Sequence, residues 1–166
     1  MEPADVWISH LSYELTTLAE LPRWVDHYVR PGPTAVHIAC LEATMIHGRL
    51  LVEFLVGRDR RHPNDVQPSD FLPDWEHPDP SRLRRHLPMI DRHLAHLSKD
   101  RADGTTAPPG YLTELVDDVR AGMELFVQAL TKAGSPHGPA FQSMVTIATI
   151  KRAQGPVTWP PEGWGG

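Results

Sequence analysis

Between Ala35 and Val56 the chain carries a run that is apolar nearly all the way round a helix, yet it holds His37, Glu42, His47, Arg49 and Glu53. A helix apolar on every side belongs in the middle of a protein core or in a lipid bilayer. That many ionisable groups in one span exclude the bilayer, where each would be costly. The run therefore predicts the central helix of a helical bundle, opening on a cap at Thr34 and stopping at Gly57. With 166 residues and a net charge of −5 the chain has the size of one domain and an ordinary globular balance. The acidic balance excludes broad, non-specific binding to nucleic acid, though not a local basic patch.

Other periodic segments flank this helix. Val6, Leu11, Leu15 and Leu18 fall near one face of a helix from about Ala4 to Glu20, with Trp7 and Tyr13 beside them. Pro22 is expected to break or kink it, with a second short turn from Arg23 to Val29 continuing the direction until Arg30-Pro31-Gly32-Pro33 ends it. Leu83, Leu87, Ile90, Leu94 and Leu97 make a third stripe, in two parts, Ser81 to Leu87 and Pro88 to about Ser98. The cleanest amphipathic pattern runs from Leu112 to Lys132. There Leu112, Leu115, Val116, Val119, Met123, Phe126 and Leu130 recur at three and four, while Glu114, Asp117, Asp118 and Glu124 lie away from the stripe. Phe141 to Arg152 is rich in β-prone residues but has no partner strand, and reads as helix.

Between these segments lie polar connections. Residues 58 to 80 are too rich in proline and aspartate for regular structure, with Phe71, Leu72 and Trp75 expected to pin the loop to the body. A second loop covers 100 to 110. Together these readings give an all-α, antiparallel four- to five-helix bundle over residues 1–154. A long polar loop separates helices 2 and 3, and an irregular Pro/Gly/Trp tail covers 155–166. The single cysteine, Cys40, reads as a small buried apolar residue and allows neither an internal disulfide nor a cysteine-based zinc site. The acidic start, Met1 to Asp5, lacks a basic-then-apolar leader pattern, so a cytoplasmic protein is expected. No nucleotide-loop or nucleophile-elbow motif is present and no cofactor is expected.

Candidate chemistry gathers on two helices. Glu42, Ile46, Arg49 and Glu53 share a face, and Arg49 and Glu53 are spaced to pair. Buried, such groups must be satisfied, so they mark either a structural ion pair or the wall of a polar site. On the third helix Arg92 and His96 share a face, His93 lies toward the apolar stripe, His86 precedes them and Arg101 follows. Arginine grips phosphate with two parallel hydrogen bonds and histidine moves protons near neutral pH. Arg58, Arg60, Arg61 and His62 form a short basic run, read first as solvated loop. His47, His93 and His96 are an alternative set, three imidazoles of the kind that bind a transition metal.

Two stretches carry a resemblance. Leu41-Glu42-Ala43-Thr44-Met45-Ile46-His47-Gly48-Arg49-Leu50-Leu51-Val52-Glu53-Phe54-Leu55 resembles a central helix of HEPN-like proteins, and so does Ile90-Asp91-Arg92-His93-Leu94-Ala95-His96-Leu97-Ser98-Lys99-Asp100-Arg101. Asp65-Val66 and Asp70-Phe71-Leu72-Pro73-Asp74-Trp75 fit the loop between them, so the likeness covers about residues 35 to 130. It implies a helical bundle, often a homodimer, that binds or cleaves RNA or binds a nucleotide, as bacterial toxin and defence components do. The family's ribonuclease motif is an arginine, about four to six residues, then a histidine; this chain departs from it, since only three residues separate Arg92 from His96. By this resemblance Arg92 would steady a phosphate and His96 move the proton, with Glu42, His47, Arg49, Glu53, His93 and Arg101 around them. Two other readings stand beside it. One is a metal-dependent bundle enzyme resembling the DinB group, with His47, His93 and His96 as ligands. The other is a non-catalytic interaction protein whose polar seam is structural.

Overall fold

The computed structural model describes residues 3–28, 35–57, 65–94 and 110–154. Among these the structure is all-helical, with no strand. The elements are α1 (Pro3–Tyr28), α2 (Ala35–Leu55), a 3-10 turn (Pro68–Asp70), α3 (Pro80–Arg84), α4 (Leu87–Leu94), α5 (Tyr111–Lys132) and α6 (Gly138–Ala153).

Four long helices form the bundle. α1 packs on α2 and α6, and α5 packs on the same two, so the helices occupy the corners of a square. α1 and α2 run in opposite directions: Glu14 meets His47, while Trp7 and Phe54, nearer the other end, both touch Phe71. α5 and α6 are joined by a tight turn at Gly134, whose φ of +65° is the left-handed conformation glycine adopts freely. α2 and α5 point the same way, with Gly48 against Leu115 and Leu55 against Gly122. The connection between α2 and α5 thus starts at one end of the bundle and finishes at the other, and its described part is 65–94. It carries α4, which leans on α2, and α3, which leans on α5.

The core is the sum of the apolar stripes. Leu15, Leu18, Leu51, Leu55, Leu115, Val119, Met123, Phe126, Leu130 and Phe141 are all but fully buried. An aromatic cluster closes one end: Phe71 touches Trp7, Phe54 and Phe141 with ring centroids 5.0–6.3 Å apart, all edge-on. The expectation that Phe71 and Trp75 pin the polar loop is met. Phe71 is buried, and the Trp75 indole Nε1–H donates to the Leu55 carbonyl at 3.1 Å, capping the last turn of α2.

Four readings are corrected. Pro22 does not break α1, which continues to Tyr28. Pro22 is itself buried, and burial of Leu18, Ala19 and Val25 on either side, with a Lys151–Glu20 ion pair at 3.2 Å, holds the helix through the lost backbone bond. Asp118 does not face solvent but is 3% exposed. Cys40 is only partly buried. Finally, α2 is a corner of the bundle and not its centre, so Ile46 and Leu50 on its outer side are 48% and 47% exposed. The loop over 100 to 109 and the tail from 155 lie outside the described residues.

Candidate functional site

The polar groups of α2 divide between its two flanks. His47 lies on the flank against α1. Its Nδ1–H donates to the Glu14 carboxylate at 2.5 Å; Glu14 is buried, and the His47 ring is braced edge-on by Tyr13. Ring geometry puts Nε2 on the side away from Glu14. His10, stacked on Tyr13, has Nε2 4.0 Å from the other Glu14 oxygen. Carboxylate–imidazole pairs of this kind fix the tautomer and orientation of a histidine. Sequence reasoning missed Glu14, because nothing in α1 marks one glutamate as the partner of a histidine 33 positions on.

Arg49 lies on the other flank, toward α4. Its Nε donates to Glu53 at 3.1 Å and its Nη1 to Asp91 at 2.5 Å. Arg49, Glu53 and Asp91 are 28%, 23% and 41% exposed, so the cluster is a half-wet seam between α2 and α4. Glu42 is half-buried on the same flank, two turns earlier. Arg92, next to Asp91, is exposed, and His93 is partly buried. The structure therefore brings Arg49, Glu53, Asp91 and α4 together and sets His47 apart from them. His96 and Arg101 lie outside the described residues. Among the described residues no three His, Cys, Asp or Glu side chains converge to hold a metal ion.

A second polar centre sits where α3 meets α5. Asp118 Oδ1 accepts from Arg82, Oδ2 from Arg85 at 2.7 Å, and Oδ2 also from His86 Nε2 at 2.9 Å. His86 and Asp118 are both buried, and Arg85 reaches on to Glu114 at 2.6 Å. Burial pushes the Asp118 carboxyl up, but the three donors outweigh it and hold it below the usual carboxylate range. The Tyr111 hydroxyl donates to the His86 carbonyl, so the histidine is held from both ends, and burial raises the phenol above its ordinary value. Asp118 is thus the shared acceptor of three donors, with its carboxylate buried and the two guanidiniums half exposed.

His77 is the third. Its Nδ1 accepts from the Asp79 backbone N–H at 3.1 Å, which leaves the proton on Nε2. Nε2 is buried with no partner among the described residues and lies where a Cβ on Gly122 would approach to 3.3 Å. Burial lowers its pKa, so the ring is held neutral. Beside it a cavity of about 360 Å³ opens between Leu55, Gly57, Trp75, Pro80 and Arg84.

Among the described residues no helix is long and apolar enough to cross a membrane. No family model, curated protein or solved structure matches the chain.

Proposed function

We propose that this chain is an HEPN-like cytoplasmic protein that, as a homodimer, binds RNA or a nucleotide by its phosphates along the α2–α4 seam. The observation that carries this reading is the bond from Arg49 on α2 to Asp91 on α4. It fixes α4 against the bundle so that the next residue, Arg92, is turned outward. An outward arginine on a braced helix suits a phosphate, which it grips with two parallel hydrogen bonds. In this reading Arg92 holds the phosphate and His96, four residues on in sequence, handles the proton if the bound RNA is cleaved. The acidic net charge makes such binding local, with few phosphates contacted and a shallow dependence on salt.

The test is RNA binding and cleavage by the purified protein, with Arg92→Ala and His96→Ala alongside. Expected are binding that weakens about tenfold or more in Arg92→Ala, and cleavage, where present, lost in both variants with unchanged helical content. Binding that ignores Arg92, or none by the unaltered protein, overturns the reading.

A further inference from the structure

The outer side of α2 is apolar where a surface helix should be polar. Val36, Ala39, Ala43, Ile46 and Leu50 follow one another at spacings of three and four. Val36, Ile46 and Leu50 are each close to half exposed, Ala39 is exposed and Ala43 is partly so. This is the repeat of a coiled-coil seam, and it lies on the side of α2 that neither α1 nor α5 covers. Tyr13 and Val6 on α1, 56% and 48% exposed, widen the patch on the His47 flank. Contiguous exposed apolar surface of this kind marks an interaction site.

We propose that this seam pairs with the same seam of a second copy, the two α2 helices lying antiparallel across a two-fold axis between Ala43 and Ile46. The inference rests on the homodimeric part of the proposed function and is independent of the RNA part. The sequence of the strip chooses the occupant. In an antiparallel pairing about that axis Ile46 of each copy falls opposite Ala43 of the other, and Leu50 opposite Ala39. Each large side chain meets a small one, which lets the helices approach closely. The flanking positions also match: Glu42 of each copy falls across from Arg49 of the other, a pairing of opposite charge repeated twice by the symmetry. A parallel pairing would set Ile46 on Ile46 and Leu50 on Leu50, and would leave Glu42 of one copy and Arg49 of the other on opposite edges of the seam. The antiparallel seam is thus self-complementary in volume and in charge, as a two-fold interface requires.

Two measurements test this. Light scattering of the unaltered chain at micromolar concentration is expected to give a dimer, and Ile46→Glu a monomer with unchanged helical content, since Ile46 is not part of the core. Oxidative cross-linking in a Cys40→Ser background supplies the register. The double variant Ala39→Cys/Leu50→Cys is expected to cross-link into a dimer, while either single variant is not. Two copies of one of these positions would stand about 16 Å apart at a rise of 1.5 Å per residue. Dimers cross-linked through a single Ala39→Cys, a dimer that survives Ile46→Glu, or a monomeric unaltered chain each overturn the proposal. If Ile46→Glu fails to fold, the cross-linking result decides alone. RNA binding retained by a monomeric Ile46→Glu variant separates this interface from the phosphate site. Loss of RNA binding in Arg92→Ala with the dimer intact leaves the interface standing.

Discussion

His86 Nε2 meets Asp118 Oδ2 at 2.9 Å with both side chains 2% exposed, the most enclosed pair of ionisable groups among the described residues. The carboxylate is charged there because Arg82 and Arg85 share its two oxygens. Replacing Asp118 by Ala would take the shared acceptor from the buried imidazole and from Arg82, and leave Arg85 with Glu114. Removing one partner of a buried charge cluster costs about 3 kcal/mol. Asp118→Ala is therefore expected to lower stability by about that amount in urea denaturation, with the slope against urea unchanged.

The same carboxylate sets an acid limit. Its folded-state value is depressed, so its contribution is fully present above the ordinary aspartate value of 3.8 and is lost as the pH falls through the lower, folded one. Acid unfolding monitored by circular dichroism should therefore steepen below about pH 4. Asp118→Asn, already weaker at pH 7, should lose that part of the pH dependence. An Asn variant with the same acid profile as the unaltered chain would show that other carboxylates set the limit.

How much of this was legible beforehand depends on the kind of signal. The α5 stripe was readable because its apolar residues recur at three and four with polar residues between, and its core members proved buried. Asp118 was not, because an aspartate at the edge of a stripe looks the same whether it faces water or two arginines brought by α3. The facing of α2 was unreadable for the opposite reason: a helix apolar all round has no polar side to point outward. Burial of Met45, Leu51, Val52 and Leu55 names its inner side only once the other helices are placed. Arg49 with Glu53 was visible as a spacing within one helix. Asp91 and Glu14, which complete the pairs of Arg49 and His47, come from other helices and left no trace in local pattern.

Gly48 on α2 faces Leu115 on α5 with no room for a side chain. A Cβ there would lie 2.6 Å from Leu115 Cδ2 and 3.1 Å from its Cγ, and Leu115 is fully buried. Helix propensity favours alanine by about 1 kcal/mol, while overpacking a core costs about 1–3 kcal/mol. Gly48→Ala is expected to be destabilising by about 1 kcal/mol, a fall in Tm of roughly 3 °C for a chain of this size. A rise in Tm would mean that Leu115 has room to move.

His77 predicts a separate pH dependence. Burial comes first among the causes that lower its pKa, with Arg82 adding to it and Asp79 opposing. Nδ1, the nitrogen that would take the second proton, already accepts the Asp79 N–H, and the protonated Nε2 is enclosed near Gly122 beside Trp75, away from water that would solvate a cation. The unfolded chain therefore binds the proton more readily. Stability is intact above the ordinary histidine value of 6.5 and falls as the pH drops below it. His77→Phe keeps the ring and removes the titration. The stability lost between pH 7 and pH 5 should be smaller in that variant than in the unaltered chain; an equal loss assigns the effect to other histidines.

The Arg49–Asp91 bond ties α2 to α4, and its worth follows from its exposure. Asp91 is 41% exposed and Arg49 28%, so water screens the pair and the gain is that of a surface ion pair, about 0.5–1 kcal/mol. A double-mutant cycle with Arg49→Ala and Asp91→Ala should return a coupling of that size, reduced at 1 M salt, where the screening length is about 3 Å. So small a value suits the bond's role. α4 is one helix of 8 residues anchored below by Ile90, and a modest tie suffices to fix which way it is rotated. The cycle carries a functional consequence that stability alone does not. If the bond sets the outward aim of Arg92, Asp91→Ala should weaken RNA binding without removing any group that contacts phosphate, and Asp91→Glu should restore part of it. A coupling indistinguishable from zero, with RNA binding unchanged in Asp91→Ala, would mean that the bond does not set the aim of Arg92.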